Sequence, residues 1–152
     1  MRVGELMTAP PVTVGPRACL TEATRLMAES AVGSLLVVED GLLRGIVTDR
    51  DLALRGLGGG LGREAPVAGV MSERVVTVDA GDDLTAAYAA FRRTGVRRLP
   101  VLDGRRVVGV LTIDDLFLDV FRHLADLLGP VSWSVLQEPP GPPAAGGAAD
   151  EP

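Results

Sequence analysis

The sequence predicts an α/β (α+β) fold of two pseudo-symmetric repeats, each with a small three-stranded sheet and two helices. The first observation is a gapless duplication: an octet that begins at Gly45 returns at Gly109, 64 positions later. The match continues outside the octets, where Val12-Thr13-Val14 aligns with Val76-Thr77-Val78. The second observation is that each copy alternates β-branched runs with one stretch of helical periodicity. With 152 residues and 47% hydrophobic content, we expect two halves of one domain rather than separate domains.

In the first repeat, strands are predicted where short β-branched runs meet turn residues, at 11–14, 34–38 and 43–48. A helix begins at Leu20, because apolar residues recur there at helical spacing. Asp40-Gly41 indicates a hairpin between the second and third strands. A short helix follows at 49–55, so the predicted order is strand, helix, strand, strand, helix.

The second repeat predicts the same order. Its strands fall at 75–78, 99–102 and 107–112, and its first helix at 84–93. Asp82-Asp83 precede this helix as candidate caps. Its last helix begins near Asp115.

Composition divides the chain further, into residues 1–57 (repeat one), 58–66 (linker), 67–129 (repeat two with an extended final helix) and 130–152 (a C-terminal extension). The linker is predicted because glycine dominates the stretch that begins at Gly56. Gly129-Pro130 predicts the end of the final helix. Only Pro, Gly, Ala, Asp and Glu follow from Pro139, which predicts disorder from about that residue.

The final helix carries apolar residues on more than one stripe, including Phe117, Phe121 and Leu124. A helix this apolar needs a second surface against which to bury. We therefore expect a homodimer. The single histidine, His123, falls on the remaining polar face and is expected to be solvated.

Composition disfavours several functions. A net charge of −5 and 3% aromatic residues disfavour nucleic acid, which needs a basic face and stacking platforms. No apolar run approaches the roughly 18 residues of a membrane helix, and the N-terminus lacks a signal-peptide core, so we expect no membrane contact and a cytoplasmic location. One cysteine, Cys19, and one histidine supply no nucleophile and base, so we expect no catalysis and no catalytic residue.

The octets place a threonine at the end of a strand and an aspartate three residues later, at Thr48 and Asp51 and again at Thr112 and Asp115. Unpaired amides at a helix start attract phosphate, and a hydroxyl there adds a hydrogen bond. An aspartate repels phosphate but accepts hydrogen bonds from a ribose diol. The same spacing is also that of a capping box, and the residues alone leave both interpretations open.

The motif order resembles a tandem pair of cystathionine-β-synthase (CBS) domains, called a Bateman module. The resemblance rests on Val-x-Thr-Val, a helix, Gly95-Val96-Arg97-Arg98-Leu99-Pro100-Val101, and Gly-hydrophobic-hydrophobic-Thr-x-x-Asp-Leu, over residues 3–120. It implies adenosyl ligands (AMP, ADP, ATP or S-adenosylmethionine) in clefts between the repeats, and a disc-like dimer of modules.

By resemblance, the aspartates hold ribose hydroxyls, the threonines contact phosphate, and valines border the base. The implied ligand-binding set is Val14, Val32, Thr48, Asp51, Val78, Val96, Arg97, Thr112 and Asp115. Repeat two has Arg97-Arg98 where repeat one has Gly33-Ser34, so we expect the clefts to differ in affinity or in preferred phosphate number.

The leading hypothesis is a regulatory sensor in which an adenine nucleotide shifts a dimer that acts on an unidentified protein partner. No cofactor is required and no protein-bound metal is expected, although Asp49 and Asp114 lie where Mg²⁺ could join a bound phosphate. The alternative is a dimeric interaction or scaffold protein that needs no ligand, with the octets acting only as helix caps.

Overall fold

A computed structural model describes the backbone of residues 1–137 and the side chains of residues 1–129. Its contacts divide the chain into a compact unit, Met1–Leu116, and a second unit that begins at Phe117. The predicted disorder from about residue 139 lies outside the described residues. Within residues 1–137, none of the helices combines the length and apolar character that a membrane crossing requires.

The elements follow the predicted order. In chain order they are α1 (Val3–Leu6), β1 (Thr13–Val14), α2 (Leu20–Ser30), β2 (Ser34–Glu39), β3 (Leu42–Thr48), α3 (Asp49–Asp51, continued by a π-helical segment at Leu52–Leu57), a 3-10 turn (Val67–Gly69), β4 (Val78–Asp79), α4 (Leu84–Thr94), β5 (Arg98–Asp103), β6 (Arg106–Thr112) and α5 (Ile113–Gln137).

The six strands form one sheet in the order β1-β2-β3-β6-β5-β4. The hairpin pairing repeats at the 64-residue offset: Ser34 pairs with Thr48, and Arg98 pairs with Thr112. Each hairpin has a register shift at the equivalent place, after Val37 and after Val101. The α/β prediction of two pseudo-symmetric halves is confirmed.

The first segment of each repeat packs on the other repeat. Thr8 forms a two-way backbone bridge with Val110, at 2.9 and 3.0 Å, and Ser72 forms the equivalent bridge with Ile46. Val3 accordingly lies in the core of repeat two, whereas Val67 and Val70 lie in the core of repeat one. The two cores are therefore built by an exchange of segments.

Each crossing passes over a glycine. A Cβ at Gly45 would lie 2.6 Å from the carbonyl oxygen of Ser72, and one at Gly109 would lie 2.8 Å from that of Thr8. A side chain at either position would push the crossing segment off the sheet. The glycine that opens each octet is thus explained by packing.

The main differences from the predicted boundaries concern β1, β4 and α5. β1 and β4 are only two residues long, and the residues before them line the cavities described below. The helix end predicted at Gly129-Pro130 was wrong, since α5 continues to Gln137. Proline removes one hydrogen bond of the helical ladder, but its fixed φ is itself helical, so the remaining bonds can carry the helix onward.

The second unit exposes a row of large apolar side chains on α5. Phe121 and Leu127 are 72% and 71% exposed, respectively, and Phe117 is 61% exposed. The side chain of His123 is 65% exposed, as expected, and its Nδ1 lies 3.4 Å from the Oδ2 of Asp119. Asp119 itself is buried.

Candidate functional site

Both octets form complete capping boxes at the start of the helix that follows the hairpin. The Oδ2 of Asp51 accepts a hydrogen bond from the Thr48 amide at 2.9 Å, and the Thr48 Oγ1 accepts one from the Asp51 amide at 3.1 Å. In repeat two the equivalent distances between Thr112 and Asp115 are 2.8 and 3.1 Å. Helix capping therefore accounts for the spacing of the motif.

The capping hydrogen bonds leave part of the hydrogen-bonding capacity of the threonine hydroxyls and aspartate carboxylates unused. A threonine hydroxyl that accepts one hydrogen bond still has a proton to donate and a second lone pair. Each carboxylate uses Oδ2 for the cap and retains Oδ1. The Oδ1 of Asp51 lies 3.9 Å from the guanidinium of the half-exposed Arg55, a distance that leaves it weakly engaged.

A cavity opens beside each threonine, within the unit Met1–Leu116. The first cleft has a volume of about 240 Å³ and is lined by Thr8, Pro10, Pro11, Val12, Val32, Ser34, Leu36, Ile46, Arg98, Val110 and Thr112. The second cleft has a volume of about 280 Å³ and is lined by Ser34, Ile46, Thr48, Arg74, Val75, Val76, Val96, Arg97 and Arg98. Both volumes lie just below the range of about 300–1,000 Å³ for small-molecule sites.

The two clefts occupy equivalent positions in the duplicated fold. The first combines Val12 and Val32 of repeat one with Thr112 of repeat two, and the second reverses the contributions of the repeats. The crossing segments bring this about, because the Thr8–Val110 bridge leads to Thr112 and the Ser72–Ile46 bridge leads to Thr48. Neither repeat forms a cleft alone.

The clefts differ in charge. Among the residues whose side chains are described, Arg98 is the one ionisable side chain lining the first cleft, whereas Arg74, Arg97 and Arg98 all line the second. None of the described acidic residues lines either cavity. The Nη2 of Arg97 lies 3.7 Å from the Oδ1 of Asp114. Because these two side chains are 71% and 76% exposed, respectively, the ion pair contributes little to stability.

The structure brings together part of the predicted residue set. Val32 and Thr112 line the first cleft, and Thr48, Val96 and Arg97 line the second. Arg97 therefore faces the cleft that contains the threonine of repeat one, a choice that the sequence left open.

Four predicted residues do not line the cavities. Val14 and Val78 lie in the two cores, at 6% and 7% exposure, and their predicted contact with a base stays a prediction. Each belongs to a paired strand that packs on its core. Asp51 and Asp115 also lie outside the cavity walls, one hydrogen bond away from the threonines that form them.

Sequence reasoning missed Val12, Val76 and Arg74. The valines precede the predicted base contacts by two residues, which places them outside the ladder and at the cavities. Arg74 reaches the second cleft because its segment crosses to repeat one, and it occupies the position of Pro10 at the 64-residue offset. A position-by-position comparison of the repeats would have marked this change from proline to arginine.

Neither acid suggested for Mg²⁺ belongs to a ligand cluster. In the part of the chain that the structure describes, no three His, Cys, Asp or Glu side chains are arranged to hold a metal. Asp49 accepts a hydrogen bond from the Arg50 amide at 2.8 Å, and Asp114 lies beside Arg97. Any Mg²⁺ contact would therefore depend on the oxygens of a bound phosphate.

Comparison with known proteins gives the family. The CBS domain model matches residues 3–57 and 67–121. The CBS domain-containing protein YhcV of Bacillus subtilis is 38% identical over 114 residues, which are 75% of this chain and 81% of that protein. Hypoxic response protein 1 of Mycobacterium tuberculosis is 32% identical over 124 residues, which are 80% of this chain and 84% of that protein.

A solved structure supports the same assignment. The CBS domain protein PAE2072 of Pyrobaculum aerophilum, complexed with AMP, matches with a TM-score of 0.68 and 28% identity. The match covers 76% of this chain and 90% of that chain. The duplicated fold, the paired clefts and the two matched segments agree, and the chain belongs to the CBS-domain family as a tandem pair of CBS domains.

Proposed function

We propose that this chain is a regulatory module that binds adenine nucleotides in its two clefts and communicates their occupancy to a partner protein. The observation that carries this proposal is the pair of equivalent cavities, each with valines from one repeat and a threonine from the other. The relative PAE2072, a CBS domain protein that forms a complex with AMP, supports this ligand class.

The chemistry of the walls suits the parts of a nucleotide. The valines offer an apolar surface to an adenine ring, and they are half-buried and held by the adjoining cores. The free hydroxyl protons of Thr48 and Thr112 donate to phosphate oxygens. The arginines add charge-assisted hydrogen bonds to the same oxygens.

The capping aspartates are proposed to hold the ribose. Each retains a carboxylate oxygen that accepts from a hydroxyl while Oδ2 stays on the threonine amide. In this arrangement one side chain both closes the helix start and orients the sugar beside it. S-adenosylmethionine shares the adenosine part and is therefore a second candidate ligand.

We further propose that the protein is a homodimer. The row of exposed apolar residues on α5, from Phe117 to Leu128, favours burial against a second copy of this chain. Sedimentation equilibrium at micromolar concentration tests this proposal. A monomer under those conditions would contradict it.

One observation favours a second candidate function. Because both Thr-Asp pairs are complete capping boxes, the motif has a structural role even without a ligand. A dimeric interaction or scaffold protein that needs no ligand is then the alternative.

Calorimetric titration with AMP, ADP, ATP and S-adenosylmethionine, with and without Mg²⁺, separates the two candidates. We expect saturable binding of at least one of these ligands. The variants Asp51→Asn and Asp115→Asn keep a side-chain oxygen for the cap, and each is expected to weaken one of two binding events. Absence of saturable binding at millimolar concentration of every ligand, in a protein that remains dimeric, would leave the scaffold.

A further inference from the structure

The two clefts share part of their walls. Three residues line both cavities: Ser34, Ile46 and Arg98. Ser34 and Arg98 are equivalent positions of the duplicated fold, each at the opening of a strand and each opposite a cleft threonine. Only one of the two is charged, so a single guanidinium serves both cavities.

Arg98 is available to a ligand. It is exposed, and within the part of the chain whose side chains are described it forms no salt bridge. Its partner in the sheet is Thr112, so its side chain and the hydroxyl of the first cleft lie on the same face. Among the described residues, Arg98 is the single arginine that lines the first cleft, whereas Arg74 and Arg97 also line the second.

A guanidinium that forms a bidentate pair with one phosphate commits two of its N–H groups and the orientation of its side chain to that phosphate. When a phosphate group in the second cleft binds Arg98, the first cleft therefore loses the one arginine that lines it among the described residues. Coupling of this kind is reciprocal: each ligand weakens the other by the same factor.

We propose that Arg98 couples the two clefts negatively, so that a phosphate-bearing ligand in one cleft lowers the affinity of the other. This inference rests on the proposed function, since it requires that the clefts bind phosphate-bearing ligands. The loss of a charge-assisted hydrogen bond predicts that filling the second cleft weakens ADP binding in the first by roughly tenfold. A neutral ligand such as adenosine should show no such effect.

The test compares ADP binding to the first cleft with the second cleft competent or weakened. The Thr112 amide resonance of ¹⁵N-labelled protein reports the first cleft. The double variant Arg74→Ala/Arg97→Ala weakens the second cleft through two exposed side chains, so the fold is not at risk. We expect the first cleft of this variant to bind ADP roughly tenfold more tightly than in the unmodified protein.

A gain in ADP affinity distinguishes the coupling from a general electrostatic effect. Removing two cations lowers the general electrostatic attraction for ADP, so a gain in affinity cannot come from the overall field. Arg92→Ala/Arg93→Ala removes two exposed arginines of α4 outside both clefts and is the matched control. It is expected to show no gain.

In an Arg98→Ala background, the double variant should no longer strengthen the first cleft. An unchanged gain without Arg98, or no gain with it, would overturn the coupling while leaving the proposed function intact. Absence of AMP, ADP and ATP binding at both Thr48 and Thr112 would overturn the coupling, and absence of S-adenosylmethionine binding as well would overturn the proposed function.

Discussion

The two repeats have the same backbone plan but different cleft rims. Hairpin pairing, register shifts, segment crossings and capping boxes all return at the 64-residue offset. The differences include three rim positions, where Pro10, Gly33 and Ser34 of repeat one correspond to Arg74, Arg97 and Arg98 of repeat two. The features that hold the fold together are therefore repeated, whereas the positive charge at the rims of the clefts is not.

The largest effect is expected at a feature that the repeats share. Gly45→Ala and Gly109→Ala each place a Cβ against the carbonyl oxygen of a crossing segment, at 2.6 and 2.8 Å. Overpacking of this kind costs about 1–3 kcal/mol of unfolding free energy. Urea unfolding measures it, with Gly69→Ala, whose Cβ would meet no atom within 4 Å, as the control. Equal stability of all three variants would contradict the common role of the octet glycines.

The next effect concerns a feature in which the clefts differ. Arg74→Ala removes a cation from the second cleft alone and is expected to weaken ADP binding there by roughly tenfold. Calorimetry combined with the Thr48 amide resonance measures this change. Arg105→Ala lies outside both clefts and should leave the affinity unchanged. If Arg74→Ala left the ADP affinity of the second cleft unchanged, as is expected of Arg105→Ala, the proposed electrostatic difference between the clefts would be contradicted.

A smaller effect separates the first helices of the two repeats. Asp83 caps α4 by accepting a hydrogen bond from the Thr85 amide at 2.9 Å, whereas the equivalent Cys19 provides no side-chain cap for α2. Asp83→Ala is expected to lower the melting temperature because α4 loses its side-chain cap, and Cys19→Asp is expected to raise it because α2 gains one. Thermal unfolding at neutral pH measures both changes.

The cap of α4 should also depend on pH. Hydrogen bonds from the Thr85 side chain and amide hold the pKa of Asp83 below its ordinary value. The carboxylate is therefore stabilised in the folded protein, and its contribution is present at neutral pH and lost as the pH falls through that lowered pKa. The stability difference between the unmodified protein and Asp83→Ala should shrink below about pH 4. A constant difference down to pH 2 would contradict the ionic cap.

The smallest effect is a difference in salt dependence. Exposed charges are screened over about 10 Å at 0.1 M salt. Raising the salt from 0.05 to 0.5 M should weaken ADP binding severalfold in the second cleft, with its three arginines, and less in the first. Titrations at the two salt concentrations, followed at Thr48 and Thr112, measure the difference. An equal loss of ADP affinity in both clefts would contradict the proposed difference in charge between them.

Local signals made most of the fold predictable. Asp40-Gly41 marked a hairpin, apolar spacing marked the helix from Leu20, and the duplication carried both to repeat two. The exchange of first segments was not predictable, because the Thr8–Val110 bridge joins distant residues without a local pattern. Arg74 was missed for the same reason, since only the crossing brings it to the second cleft. The continuation of α5 past Pro130 was missed because one proline was given more weight than it has in the structure.

The most direct test of the account is a titration of ¹⁵N-labelled protein with ADP, followed at the amides of Thr48 and Thr112. The account predicts saturable shifts at both amides, with the second cleft, reported by Thr48, filling at the lower ADP concentration. Unmoved resonances at both threonines at millimolar ADP would contradict ADP binding in the clefts, and if AMP, ATP and S-adenosylmethionine also left them unmoved, the two octets would serve the fold alone.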